Sequence, residues 1–261
     1  MGCRLSIITP VFNGIRFIEA CIRNVIDQQC PGVEHIIIDG GSTDGTAAVI
    51  ERYASEYRHI RWLSEPDRGQ SDAMNKGIAL AVGEIVGFLN VDDYYELDVL
   101  NRIVERFSSL TEPALLVGNC NIWDDHGSLL TVNRPSGISY FNLLKGDYET
   151  SFPMNPSAYF YHKSLHGRIG LYDVDEHFSM DVHFIYKAVQ QARVVYVDEL
   201  WGNYRFLKGT KTYMDDRSGQ NQVRVAAITD HYRKSAPLQY RARLAIRHTV
   251  CRLCRLFTRS A

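Results

Sequence analysis

Three short apolar runs, Leu5-Ser6-Ile7-Ile8-Thr9, His35-Ile36-Ile37-Ile38 and Ile85-Val86-Gly87-Phe88-Leu89, each stop abruptly in polar, turn-forming residues. Between them the apolar residues switch to a helical period. Ile15, Ile18, Ile22, Val25 and Ile26 share one face, and Val49, Ile50, Tyr53, Ala54 and Tyr57 share another in a helix starting near Thr46. A further strand is expected near Ile60-Arg61-Trp62-Leu63, followed by a helix from Ser71 to Ala81. Strands separated by helices of this length can pair in parallel, because a parallel connection needs a dozen or more residues. The expectation is an α/β chain with a mixed, mainly parallel sheet flanked by helices.

The second half is less regular. Leu100, Ile103, Val104 and Phe107 predict one helix, and Asp181 to Gln191 another. Short strands are expected at Leu115 to Val117, Leu129 to Val132, Ala158 to Tyr161 and Val194 to Val197. With 261 residues, 45% of them hydrophobic and 23% charged, the chain can bury one large core. A formal net charge of −1 gives no general affinity for nucleic acid. The six cysteines are scattered, which fits a reducing cytoplasm, and Cys251 and Cys254 form a CxxC with no second pair to complete a zinc site. No apolar leader with a cleavage site is recognisable at the start. Met1 to Ser6 fits the myristoylation pattern formally, but Ser6 falls inside the first strand, so the match is read as coincidence.

In open α/β sheets ligands bind beyond the carboxyl ends of the strands, so the polar loops should converge on one site. Asp92 and Asp93 lie there as adjacent carboxylates, which repel unless a cation or proton intervenes. Oxygen ligands of this kind suit Mg²⁺ or Mn²⁺, with the remaining ligands drawn from substrate phosphates and water. Asp39 closes the second strand, and Asp67, Arg68, Gly69, Asp72, Asn75 and Lys76 crowd the start of a helix whose free N–H groups favour an anion. Neither GxGxxG after the first strand nor a Walker lysine motif is present, which argues against a dinucleotide oxidoreductase and a P-loop NTPase.

Four blocks in order carry a resemblance to glycosyltransferase family 2, especially its bacterial branch that builds polysaccharides and glycolipids. They are Ser6 to Asn13, Ile38 to Thr46, Glu65 to Gly77 and Gly87 to Asp93. The resemblance implies a GT-A fold spanning residues 1–237, with a nucleotide-binding half at 1–95 and an acceptor half at 96–237. It implies that Thr9, Pro10, Val11, Asn13 and Asp39 hold the nucleotide of a nucleoside-diphosphate sugar, with Asp67, Gly69, Asp72 and Asn75 nearby. Asn90-Val91-Asp92 occupies the family's DxD position, with Asn90 replacing the first aspartate, so Asp92 or Asp93 would bind the metal. Later segments similar to the family suggest Asp181 as catalytic base and Arg205 and Lys211 as diphosphate partners.

The implied activity is inverting, metal-dependent transfer of a sugar, with UDP as the commonest carrier, to a hydroxyl of a glycan or lipid-linked acceptor. A nucleotidyltransferase, a glycoside hydrolase and a noncatalytic nucleotide-sugar-binding module are the competing readings. Residues 238–261 carry six arginines, no acid and an interleaved apolar pattern. Such a basic amphipathic helix suits peripheral contact with an anionic membrane at its cytoplasmic face, or packing on the domain with its arginines in water.

Overall fold

The apolar runs become strands buried on both faces, which is why they read as continuous rather than alternating. The computed structural model describes the backbone of residues 4–257 and the side chains of residues 4–247. Strands β1 (Leu5–Val11), β2 (Val33–Asp39), β3 (Ile60–Ser64) and β4 (Ile85–Phe88) pair in parallel in the order β3-β2-β1-β4. Their crossovers are α1 (Ile18–Asp27), α2 (Thr46–Glu56) and α3 (Gln70–Leu80). Ile15, expected on the first helical face, instead lies exposed in the loop before α1.

The second half continues the same sheet. It comprises β5 (Tyr94–Tyr95), α4 (Val99–Phe107), β6 (Ala114–Trp123), β7 (Leu129–Asn133), α5 (Tyr140–Lys145), α6 (Tyr148–Ser151), β8 (Tyr159–His162), α7 (His166–Ile169), α8 (Met180–Gln191) and β9 (Arg193–Arg205). Then follow α9 (Lys211–Arg217), α10 (Gln220–Ser235) and α11 (Leu238–Phe257). β8 enters antiparallel between β4 and β6, β9 runs parallel to β6, and β5 closes the far edge against β9. Consequently β1, β2, β3, β4, β6 and β9 all point the same way, while β5, β7 and β8 oppose them.

Strands β6 and β9 run well beyond their expected apolar segments because amide groups continue the interior. Asn119 Nδ2 donates to Asp198 at 2.8 Å, and Asn121 Nδ2 donates to Asn203 Oδ1 at 3.0 Å, with Trp123 Nε1 on the same oxygen at 2.8 Å. A reading based on apolarity stops where this polar stretch begins.

At the carboxyl end of the chain, α11 starts by packing on α5. Leu244 is buried, Tyr240 sets its ring edge-on to Tyr140 at 5.0 Å, and the Arg243 guanidinium covers Phe141 at 4.1 Å. Leu238, Arg241, Ile246 and Arg247 remain exposed. The side chains of Cys3, Cys251 and Cys254 lie outside the described residues, as does most of the myristoylation-like opening; Cys21, Cys30 and Cys120 are buried. Among the described residues no helix is long and apolar enough to cross a membrane.

The setting of α3 against β1 depends on Gly77, where an added Cβ would sit 2.3 Å from Ile8 Cγ2. Alanine would gain about 1 kcal/mol of helix propensity. The overlap costs about 1–3 kcal/mol because β1 is enclosed and cannot retreat. Gly77→Ala is therefore expected to lower the unfolding free energy by up to about 2 kcal/mol, measured by urea denaturation, despite the better helix former.

Candidate active site

Parallel strands bring their carboxyl ends to one edge. Val11 aligns with Asp39, Asp39 with Ser64, and Trp123 with Arg205, so the segments following β1, β2, β3, β6 and β9 share that edge. The β4 loop joins them, since Leu89 N donates to Ile8 O at 3.0 Å.

The two aspartates at the end of β4 have different surroundings. Asp93 is 1% exposed and accepts from Asn90 Nδ2 at 3.0 Å, Asn155 Nδ2 at 2.8 Å and the Arg205 backbone N–H at 3.0 Å. Burial, reinforced by the Asp92 charge, holds its carboxyl above the usual range despite those donors. Asp92 is half-buried and receives no side-chain donor; burial raises its carboxyl, and its own backbone N–H and the Arg205 charge offset this only partly. The Arg205 Nε donates to the Asp92 carbonyl, and its guanidinium lies between Phe17 and Tyr94, 5.1 and 5.9 Å from their ring centres.

Of the two, Asp93 has its oxygens enclosed and already paired with three donors. Asp92 fits a hard cation: it is an under-neutralised carboxylate beside a phosphate-seeking guanidinium. Among the described residues no three histidine, cysteine or acidic side chains gather around a point. A cation held by Asp92 would take its other oxygens from diphosphate and water.

Asp181 occupies the first turn of α8, where a helix N-terminus favours its charge. Desolvation outweighs that: the carboxyl is pushed up to about 6, with Val182 N donating to Oδ1 at 2.8 Å. The preceding loop crosses to the nucleotide half. Ser71 Oγ donates to Glu176 O at 2.8 Å, and the Asn75 amide both donates to Tyr172 O at 2.8 Å and accepts from Tyr172 N at 3.0 Å. Gly69 has φ +115°, and a Cβ there would press within 3.2 Å of His177 Nδ1. The backbone conformation and the close approach both call for glycine at that position.

Several other expected contacts have internal partners. Thr9 is fully buried with its hydroxyl 2.9 Å from His35 Nε2, so it fastens β1 to β2 instead of opening on the crevice. Pro10 and Val11 are also buried. Asp39 is enclosed too, accepting from Ser42 and from Ser64 Oγ at 2.6 Å, and it thereby shapes the turn after β2. Asn13 (φ 50°) ties the first loop to that turn: its N–H donates to Ser42 Oγ at 2.7 Å and its Oδ1 accepts from Thr43 N at 2.9 Å.

Asp67 accepts from Gly69 N at 2.8 Å and lies against Gly40. Asp72 accepts from Arg68 N at 3.2 Å and lies 3.6 Å from Lys76 Nζ. Asn90 links Gln70 to Asp93, and Val91 is half-buried against the cores beneath. Lys211 turns to the loop before α8, donating to His177 O and covering Phe178 at 4.2 Å. That placement puts it beside the Asp181 segment; its contacts are not with Asp92 or Arg205. Asn155, Phe17, Tyr94 and Tyr204 were not foreseen. Tyr204 adjoins the noted Arg205, whereas nothing local distinguishes Asn155.

The Glycosyl transferase family 2 model matches residues 6–167. The uncharacterized glycosyltransferase EpsJ of Bacillus subtilis is 27% identical over 252 residues, covering 92% of this chain and 69% of its own. The uncharacterized glycosyltransferase Rv1514c of Mycobacterium tuberculosis is 34% identical over 187 residues, covering 70% and 68%. Among solved structures, S. aureus TarS 1-349 with UDP-GlcNAc is similar with a TM-score of 0.64 and 18% identity, over 80% of this chain and 60% of that one. The mannosyltransferase PcManGT of Pyrobaculum calidifontis, with GDP-Man and Mn²⁺, gives a TM-score of 0.60 at 18% identity, over 96% and 81%.

The contrast between the two aspartates has a measurable consequence. Asp93→Ala leaves three buried donors without their acceptor and should cost about 3 kcal/mol or more in urea unfolding. Asp92→Ala should change stability by less than about 1 kcal/mol, because it removes a carboxylate already short of partners. Equal losses in the two variants would contradict the assignment of separate roles.

Proposed function

The chain belongs to glycosyl transferase family 2, and from that membership we propose inverting, metal-dependent transfer of a hexosyl group from a nucleoside-diphosphate sugar, with UDP as carrier. The acceptor is a hydroxyl of a glycan or lipid-linked saccharide in cell-surface polysaccharide or glycolipid synthesis. The observation that carries the reading is the pairing of two unlike carboxylates. Asp92 lies under-neutralised beside Arg205, while Asp181 is desolvated on α8.

In this reading the turn after β2 and the Pro10–Asn13 segment frame the nucleoside, and the Arg205 guanidinium meets the diphosphate. A Mg²⁺ or Mn²⁺ ion held by Asp92 would supply neutralisation of charge developing on the leaving diphosphate. Asp181 accepts the proton of the acceptor hydroxyl as its oxygen attacks the anomeric carbon and the bond to the diphosphate breaks. Because base and leaving group flank the sugar from opposite sides, a single displacement inverts the anomeric configuration. The known ligands of the structural neighbours, UDP-GlcNAc, GDP-Man and Mn²⁺, support the donor class.

Thermal stabilisation by UDP-, GDP-, dTDP- and CMP-sugars, with and without Mn²⁺, tests donor binding, since a ligand of the native state raises its apparent stability. One nucleotide class should stabilise the chain in a metal-dependent way. With the donor so identified, Asp181→Asn should retain that stabilisation and lose transfer by at least about a hundredfold. A base acts when ionised, so wild-type kcat/KM should rise with pH through about 6 and level above it. Donor binding without turnover, given a competent acceptor, would favour the noncatalytic reading.

The reading extends to location at the inner face of the cytoplasmic membrane, through the basic surface of α11. Its first turns use Tyr240 and Leu244 to hold the protein, which leaves Arg241, Ile246 and Arg247 outward. Each surface arginine contributes about 1 kcal/mol to binding an anionic bilayer. Replacing Arg241 and Arg247 by Gln should therefore weaken co-flotation with anionic vesicles by roughly tenfold to thirtyfold at moderate salt. Equal flotation with neutral and anionic vesicles would refute this placement.

A further inference from the structure

The Arg205 side chain is held from three sides. Its backbone N–H is bound to the buried Asp93 carboxylate at 3.0 Å, its Nε donates to the Asp92 carbonyl, and its guanidinium carbon stands over the Phe17 and Tyr94 rings, 5.1 and 5.9 Å from their centres. Each ring comes from a framework that fixes it. Tyr94 pairs with Asn203 across β5 and β9, so Tyr94 and Arg205 are diagonal neighbours on one face of that antiparallel pair. Phe17 ends the loop between β1 and α1; its N–H donates to Gly14 O at 2.9 Å, and the Gly14 N–H donates to Thr46 Oγ1 at 3.0 Å. Arg16 approaches the same Phe17 ring at 5.0 Å, from an exposed position in that loop.

Aromatic rings attract the charge of a guanidinium and offer no oxygen acceptor for its N–H groups. The Nε of Arg205 is taken by Asp92, yet among the described residues neither terminal nitrogen donates a hydrogen bond or closes an ion pair. The side chain is half-buried, so these N–H groups are the part of it left to meet a partner. An arginine free in solvent loses rotamer freedom when it binds a phosphate. Here its orientation is set beforehand, and the terminal N–H groups form a planar fork of the kind that takes two phosphate oxygens.

We infer that Phe17 and Tyr94 are positioning residues for the donor diphosphate: their rings hold the Arg205 guanidinium in the orientation in which its terminal N–H groups meet phosphate oxygens. The inference rests on the donor reading above, which gives Arg205 its ligand, and adds two aromatic side chains that act through Arg205 and not on the donor. Both stand just beyond the sequence blocks that end at Asn13 and Asp93.

The test is calorimetric titration of UDP and GDP, each with Mn²⁺, into the full chain and its variants. Arg205→Gln should weaken binding by about tenfold or more, the worth of a charge-assisted hydrogen bond. Phe17→Leu and Tyr94→Leu, which keep an apolar side chain and lose the ring, should each weaken it by about threefold to tenfold. Tyr94→Phe keeps the ring and should bind as the wild type does. In the Arg205→Gln background the leucine variants should cost nothing further, because their effect passes through the guanidinium. Phe17→Leu, in a loop, carries the test alone if Tyr94→Leu, in a strand, does not fold. Wild-type affinity in a folded leucine variant would overturn the inference. So would a loss that persists in full without Arg205, or a Tyr94→Phe as weak as Tyr94→Leu. An Arg205→Gln variant that binds undiminished, or a wild-type chain that binds neither nucleotide, would instead overturn the donor reading itself.

Discussion

A carboxylate with almost no exposed surface sits where three separate parts of the chain meet, and much of the site takes its position from it. Asp93 collects the Asn90 amide of its own loop, the Asn155 amide before β8 and the backbone of Arg205 at the end of β9. Burying a charge is unfavourable unless hydrogen bonds compensate, and its three donors offset only part of that cost. The same bonds determine where Asp92, Arg205 and Tyr204 stand. Asp92 precedes the anchored residue and Arg205 is bound through its own N–H, so neither can move without breaking a buried contact.

Burial and hydrogen-bond partners together separate acidic residues that their chemical identity does not distinguish. Asp93 is enclosed and paired, Asp92 half-enclosed and unpaired by side chains, and Asp181 desolvated at a helix start with one close backbone donor. An unpaired carboxylate near a guanidinium suits a cation and phosphate, and a desolvated carboxylate of raised pKa suits a base. The opposed tendencies at Asp181 are instructive: loss of water raises its pKa and prevails over the Val182 N–H and its own N–H, which lower it.

The parallel half of the fold is legible in the sequence because β1, β2 and β4 are buried on both faces and its helices keep one apolar stripe, so composition and period agree. Bounds there differ from expectation by a few residues. Legibility fails where polar groups form the interior. Asn119, Asn121 and Asn203 continue β6 and β9 through polar pairing, Asn119 with Asp198 and Asn121 with Asn203, that no apolar pattern announces. The same limit applies to the site. The motif residues around Asp92 stand out because they are contiguous, whereas Asn155 comes to Asp93 from a distant segment. Thr9 and Asp39 show the converse: residues marked by a motif can have inward partners that only the three-dimensional arrangement discloses.

The two halves are joined at the site by small, directional contacts as well as by the shared sheet. Ser71 and Asn75 hold the backbone of Glu176 and Tyr172, and Gly69 admits His177. All three belong to the start of α3, the element that would also face a diphosphate. Since α3 is seated on β1 by the absence of a side chain at Gly77, its position is set by the core. The segment leading to Asp181 is in turn set by α3. In the proposed reading base and phosphate side are thus referenced to the same helix, which gives a physical reason for the family-bearing motif to extend from Glu65 to Gly77 and not end at the loop.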